Sequence, residues 1–209
     1  MRRSILLAAA LCLPALLVAQ SPPQSKGAAV CETFTSELNK LTRDYRAARK
    51  ADPKAKVPDY SAVARRAVAA AADLEGDDQA QVLCWAAVNG RDEALVREVV
   101  ADLSEHHLKS PAIADLMENA MTLSRALGQE EGEKFLQRVA EASPHAAVRG
   151  WALYWKAVTI QREKNATPEQ KAQAADLMDQ AEKLAAGTLL ADRIAGPRFI
   201  EEKLQIGMT

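Results

Sequence analysis

Cysteine, glycine and proline are all scarce in this sequence. The chain of 209 residues has three cysteines, which excludes a disulfide-dense scaffold and a four-ligand zinc module. With nine glycines and nine prolines, it fits neither a disordered or collagen-like chain nor a turn-rich β protein. Neither charge is in excess, because the chain has 27 basic and 28 acidic residues. This balance argues against a nucleic-acid-binding surface.

Catalytic sequence motifs are missing as well. The chain contains no glycine-rich phosphate loop, no Gly-x-Ser-x-Gly elbow and no His-Glu-x-x-His helix. We therefore expect a protein that is not an enzyme and that has no catalytic, cofactor-binding or metal site.

Alanine, by contrast, makes up about a fifth of the chain, a composition that favours helix over strand. Apolar residues recur at helical spacing nearly everywhere after Val30. The first apolar stripe consists of Phe34, Leu38, Leu41 and Tyr45. The sequence therefore predicts an all-α domain over residues 30–196.

The first 19 residues have the pattern of a secretory signal peptide. Two arginines precede an apolar run from Ile5 to Val18, and the small residue Ala19 marks the cleavage site. The run is shorter than the roughly 20 residues that a helix needs to cross a bilayer, although an uncleaved anchor is the alternative. We expect export to the periplasm or cell envelope and no membrane contact after cleavage. Residues 20–29 are predicted to be a flexible linker.

Capping residues, prolines and glycines predict the helix boundaries. The predicted starts are Asp77, Ser110-Pro111, Ser143-Pro144 and the capping box from Thr167 to Gln170, and the predicted ends are Gly76, Gly90, His107, Gly128 and Gly187. The starts at Asp77, Ser110 and Ser143 are 33 residues apart. Each interval holds a two-helix unit, as in tetratricopeptide-like repeats. We predict an irregular array of antiparallel α-hairpins.

Two cysteines, Cys31 and Cys84, remain after removal of the signal peptide. Neither belongs to a Cys-x-x-Cys pair, so no thioredoxin-type redox motif is present. In an oxidising compartment, a disulfide would tie the first helix to the third. The alternative is two buried free thiols that act as small apolar residues.

His106 and His107, with Asp102 one turn before, supply two candidate metal ligands. A metal site needs three or four ligands, and nothing in the sequence points to the others. We interpret the pair as histidines in the last turn of a helix, where they interact favourably with the helix dipole. His145, near the start of a later helix, has no identifiable partner.

Three of the nine aromatic residues, Trp151, Tyr154 and Trp155, lie within five positions. On a repeat array, such a cluster would line a groove that binds a protein or peptide partner. However, this helix is apolar on both sides, which is typical of a central, buried helix. Core packing and partner binding are therefore both open.

The segments from Ser143 to Gly150 and from Glu202 to Thr209 carry a family resemblance. Together with the alanine-rich helical hairpin between them, they make the stretch from Ser143 to Thr209 resemble the helical region that precedes the redoxin domain in secreted bacterial thioredoxin-like proteins. In those proteins a Leu-Gln-x-Gly motif, here Leu204 to Gly207, leads into the redoxin fold. The sequence stops at Thr209, before that fold, and Cys31 and Cys84 match no redox cysteine of those proteins. The resemblance implies a non-catalytic accessory region that contacts a protein partner; the alternative is a free-standing adaptor for an envelope protein.

The tail, residues 197–209, leads towards this missing domain. Ile206 and Met208 alternate with Gln205 and Gly207, a pattern that indicates an extended segment. Because an extended end has no strand here to pair with, we expect Gln205 to Thr209 to be unanchored.

Overall fold

The computed structural model describes residues 25–195, apart from the side chains of Met121 and Thr122. Within this range the chain forms helices and their connections and no strand, which confirms the all-α prediction. The helices are α1 (Lys26–Ala51), α2 (Tyr60–Ala71), α3 (Gly76–Asn89), α4 (Glu93–Asp102), α5 (Ile113–Glu118), α6 (Ala120–Leu127), α7 (Gln129–Ala142), α8 (Ala146–Arg162) and α9 (Pro168–Leu184). A π-helical turn, Leu103–His107, follows α4, and residues 189–195 are helical. The predicted signal peptide and the tail lie outside the described residues.

Helix α1 begins inside the segment 20–29 that the sequence assigns to a linker. The Ser25 hydroxyl accepts a hydrogen bond from the Ala28 N–H at 3.0 Å and caps the helix. The Gly27 N–H donates to Asp78 Oδ1 on α3 at 2.9 Å. A local cap and a contact from a distant helix thus make residues 26–29 helical, which corrects the linker boundary.

Asp77 does not cap α3 as predicted. The helix begins at Gly76, after Glu75, whose side chain makes no capping hydrogen bond, and Asp77 lies within the first turn. There its negative charge is favourable to the helix dipole without a capping bond. The carboxylate of the neighbouring Asp78 instead accepts a hydrogen bond from the Gly27 N–H, at the start of α1.

The stripe between Ser110 and Gly128 forms two helices rather than one, so the interval from Ser110 to Ser143 holds three helices and not the predicted two. Ser110 Oγ accepts from the Ala112 N–H at 3.2 Å, so the chain makes a turn before α5 begins. Asn119, at φ −109° and ψ 17°, then separates α5 from α6. Its side-chain amide donates to the Asp115 carbonyl at 2.9 Å, a local bond that competes with regular helix.

The capping box of α9 is confirmed. The Gln170 N–H donates to Thr167 Oγ1 at 3.2 Å, and the Thr167 N–H donates to Gln170 Oε1 at 2.7 Å. Ser143 accepts from the backbone N–H two residues on at 3.3 Å, and α8 begins just after. Gly187, beyond the end of α9, has a φ of 76°, which glycine adopts without strain.

The helices pack around one continuous core that extends from α2 to the helical residues 189–195. Helix α8 packs extensively on α9 and also contacts α7 and α5, while α3 contacts α1, α2, α4 and α5. A small second cluster, Ala157, Ala174 and Leu177, lies between α8 and α9. Helix α1 lies at the margin of the core, because the four residues of its apolar stripe are only half-buried. In the part of the chain that is described, no helix is long and apolar enough to cross a membrane.

Candidate functional site

The aromatic cluster, defined as Trp151, Tyr154 and Trp155, lies on consecutive turns of α8. Residues three and four apart on a helix share a face, which brings the three rings together. The Trp151 and Trp155 rings are stacked, with centroids 6.5 Å apart and planes 18° from parallel. The Tyr154 ring meets both edge-on, at 5.8 Å from Trp151 and 5.2 Å from Trp155.

Two members of the aromatic cluster are core residues. Trp151 is 4% exposed and Trp155 is 6% exposed. The Trp155 indole N–H donates to the Met117 carbonyl at 2.6 Å, near the end of α5. Since the last carbonyls of a helix lack partners within it, Trp155 satisfies one of them and joins α8 to α5. Tyr154 is half-buried and keeps part of its ring at the surface.

Arg193 extends the aromatic cluster at the surface. Its guanidinium carbon lies 5.4 Å from the Trp151 ring centroid and 5.6 Å from that of Trp155, within the range of a cation–π interaction. Leu190 and Ile194, from the same helical segment, are buried in the core. A partner would therefore meet Arg193 and Tyr154 before it met either tryptophan.

Both predicted thiols are free, with Cys31 on α1 and Cys84 on α3. Cys84 is buried, whereas Cys31 is half-buried and donates to the Gln81 carbonyl at 3.7 Å. Burial, aided by the negative charge of Asp115, raises the pKa of the Cys31 thiol to about 11. The same two causes, in the same order, raise the pKa of the Cys84 thiol. Both thiols are therefore protonated near neutral pH.

The two adjacent histidines lie in the π-helical turn. His106 Nε2 is 3.8 Å from Asp102 Oδ1 and 3.9 Å from Glu105 Oε2, all on the surface. Desolvation lowers the pKa of His107, and the positive charge of His106 lowers it further, against the opposing effect of Asp102. In residues 25–195 no three His, Cys, Asp or Glu side chains are grouped so as to hold a metal ion.

His145 has a structural partner that the sequence did not reveal. Its Nε2 is 3.0 Å from the Lys109 carbonyl, so the ring joins the start of α8 to the connection before α5.

A groove of about 680 Å³ lies between α7 and the surface formed by α4 and the π-helical turn. Its apolar lining includes Val100, Leu127 and Phe135, and its charged lining includes Arg97, Lys134 and Arg138. This volume is within the usual range of ligand pockets. The acidic residues Glu105 and Glu131 also line the groove.

Backbone carbonyls hold two of the groove's basic side chains in place. Arg97 Nε donates to the Ala126 carbonyl at 2.9 Å, and Arg138 Nη2 donates to the Ser104 carbonyl at 2.6 Å. These partners are 29 and 34 residues away in the chain, so sequence inspection did not find the groove. Arg97 lies 37 and 41 residues before Lys134 and Arg138, which is longer than the 33-residue interval, so the repeat spacing gives no signal for the groove.

Comparisons with protein-family models, with curated proteins and with solved structures find no match for this chain.

Proposed function

We propose that this chain is the non-catalytic helical interaction region of an exported thioredoxin-like (redoxin) protein, folded as an irregular array of antiparallel α-hairpins. The resemblance in the segments Ser143 to Gly150 and Glu202 to Thr209 supports the redoxin link. The first of these segments leads into α8, and the second lies outside the described residues. The pattern of residues 1–19 supports export.

One observation supports the proposed hairpin array: the first helices of successive units pack against one another. Helix α3 begins the first 33-residue interval, α5 begins the second and α8 begins the third. Helix α3 contacts α5, and α5 in turn contacts α8. In a stacked hairpin array, each unit covers its apolar face with the next one, which gives this sequence of contacts. Such stacks present extended surfaces that suit protein partners.

The redoxin link is tested by sequencing the gene. We expect the coding sequence beyond codon 209 to encode a strand-rich domain with a reactive cysteine. The absence of such a sequence in every reading frame would contradict the redoxin link.

Export is tested separately by N-terminal sequencing of the protein recovered from the cell envelope, where we expect a new N-terminus after Ala19. An intact Met1 would contradict signal cleavage.

A free-standing adaptor for an envelope protein is the second candidate function, and the groove beside α7 favours it. The groove has an apolar floor and a rim of three basic and two acidic side chains, which suits an apolar partner segment that carries an acidic residue. The test is capture of a single envelope protein by the purified chain. Lys134→Glu, which reverses an exposed charge in the groove, should reduce capture, whereas Lys171→Glu, on the exposed surface of α9, should not.

The aromatic cluster is tested in the same capture experiment. Tyr154→Ala alters its half-buried member and leaves both tryptophans in place. Reduced capture with unchanged melting would assign partner binding to this cluster. Unchanged capture would leave the three aromatic residues a packing role alone.

A further inference from the structure

The contacts between α1 and α3 progress in the same direction along both helices. The Gly27 N–H bonds to Asp78, the Cys31 thiol then meets the Gln81 carbonyl, and Thr35 Oγ1 accepts from the Trp85 indole N–H at 2.9 Å. Each step advances four residues on α1 and three or four on α3. The two helices are therefore parallel, and their contacts stay in register over about two turns.

The backbones of α1 and α3 approach closely at the start of this contact. A Cβ atom on Gly27 would lie 2.6 Å from the Asp78 carbonyl oxygen, a distance that real side chains do not adopt. Cys31 lies one turn further along α1, where its Sγ is 3.7 Å from the Gln81 carbonyl oxygen. The helix separation at the thiols is thus set by a glycine contact one turn away.

Cys84 lies on the same side of α3 as Gln81. Side chains three residues apart on a helix are neighbours, with about 5–6 Å between their Cβ atoms. Cys31 is packed against the core cluster that contains Cys84. Negative charge on Cys31 also contributes to the raised pKa of Cys84, as expected for two nearby sulfur atoms. Cys31 therefore lies beside Gln81 at the α1–α3 contact, and Cys84 lies about one turn further along α3.

We propose that Cys31 and Cys84 form a reversible disulfide that fastens α1 to α3. The chemistry requires an external disulfide as the oxidant, which an exported location would supply. The Cys31 thiolate attacks a sulfur of the external disulfide and releases one thiolate. The Cys84 thiolate then attacks the Cys31 sulfur in the mixed disulfide and releases the second. Two protein thiols are oxidised to a disulfide and one external disulfide is reduced to two thiols, which take up the two protons that Cys31 and Cys84 lose.

The burial of the thiols decides the order of these steps. Cys31 is half-buried and accessible to a small disulfide, whereas Cys84 is closed off and reacts only with the neighbouring Cys31 sulfur. Because both thiols are protonated near neutral pH, exchange is slow and becomes faster as the pH rises. The disulfide would act on α1 above all, since the apolar stripe of this helix is only half-buried.

The test uses the full chain with Cys12→Ser, so that Cys31 and Cys84 are the two cysteines present. The reduced protein is incubated with a mixture of oxidised and reduced glutathione at mildly alkaline pH, then alkylated and digested. We expect a peptide pair joined through Cys31 and Cys84, an intact mass lower by two hydrogen atoms and a higher melting temperature. Returning the protein to excess dithiothreitol should reverse all three changes.

Single-cysteine variants provide the matched controls. Cys31→Ser should show no shift in melting temperature in the same buffer. Cys84→Ala, which keeps a small apolar side chain in the core, should stop at a glutathione adduct on Cys31. If the protein with both cysteines also yields only this adduct, or yields dimers linked through Cys31, the proposal is wrong. Because the measurement is made on purified protein, its outcome does not depend on export or on the redoxin link.

Discussion

We expect His107 to couple the stability of the fold to pH. It is half-buried in the π-helical turn, and desolvation lowers its pKa below the ordinary value of 6.5. The unfolded chain therefore binds a proton more tightly than the folded chain, and stability falls as the pH drops through 6.5 towards the folded pKa. Between about pH 7 and about pH 5, His107→Gln should lose less stability than the unchanged protein in urea unfolding.

The neighbouring His106 offers the control for this prediction. It is exposed on the same turn, so His106→Gln should keep most of the pH dependence. Equal pH dependence in the unchanged protein and in His107→Gln would show that His107 is not the group responsible.

Trp155 contributes to stability through its indole N–H as well as through its apolar surface. Trp155→Phe keeps most of the ring volume but leaves the buried Met117 carbonyl without this donor. The expected loss in the free energy of unfolding is about 1–3 kcal/mol, measured by urea denaturation. Trp85→Phe is the matched control, because the Trp85 indole bonds to Thr35 at the surface, where water replaces it. If both variants lost the same free energy of unfolding, the buried hydrogen bond of Trp155 would contribute no more than the exposed one of Trp85.

At the level of elements, two glycines in helices have opposite structural roles. A methyl group at Gly27 would collide with the backbone of Asp78, whereas at Gly132, inside α7, nothing lies within 4 Å of the added atom. Gly27→Ala should therefore destabilise the protein by about 1–3 kcal/mol as α1 is pushed from α3. Gly132→Ala should stabilise it by about 0.5–1 kcal/mol, because alanine loses less backbone entropy in a helix. Guanidinium unfolding of both variants measures these changes in the free energy of unfolding. If both variants were stabilised, the close contact between Gly27 and Asp78 would be wrong.

Helix boundaries were predictable where neighbouring residues determine them. The capping box of α9 depends on Thr167 and Gln170, three residues apart, and its sequence sufficed to place it. The start of α1 also depends on Asp78, 51 residues after Gly27, and such a partner cannot be found by inspecting adjacent residues. The break at Asn119 was missed because the apolar stripe continues across it at helical spacing.

The candidate sites follow the same rule. Three aromatic residues within five positions of one helix predicted a cluster, and the cluster is present. Two contacts of this cluster could not be predicted, because they depend on the folding of distant segments. They are the stacking of Arg193 on the Trp151 ring and the hydrogen bond from Trp155 to the Met117 carbonyl. The groove between α4 and α7 was missed for this reason, since its arginines are positioned by carbonyls on other helices.

At the scale of the whole molecule, the core is continuous and does not divide at the boundaries of the proposed units. One cluster of buried residues runs from Ala64 on α2 to Ile194. Phe135 and Val139 on α7, which are 4% and 0% exposed, belong to it together with Trp151 and Trp155 on α8. In the proposed array, the stability of the chain is the sum of the stability of each unit and of its interfaces with its neighbours. No single hairpin should therefore be dispensable.

Truncation after Ala142 tests this interdependence. Removal of the residues from Ser143 onwards takes away α8 and exposes the apolar face of α7, including Phe135 and Val139. It also removes the indole that bonds to Met117. We expect the shortened chain to melt at a lower temperature, to bind a hydrophobic dye and to associate in size-exclusion chromatography, because newly exposed apolar surface promotes association. Cooperative melting at an unchanged temperature would mean that the units fold independently and that the proposed stacked array is wrong.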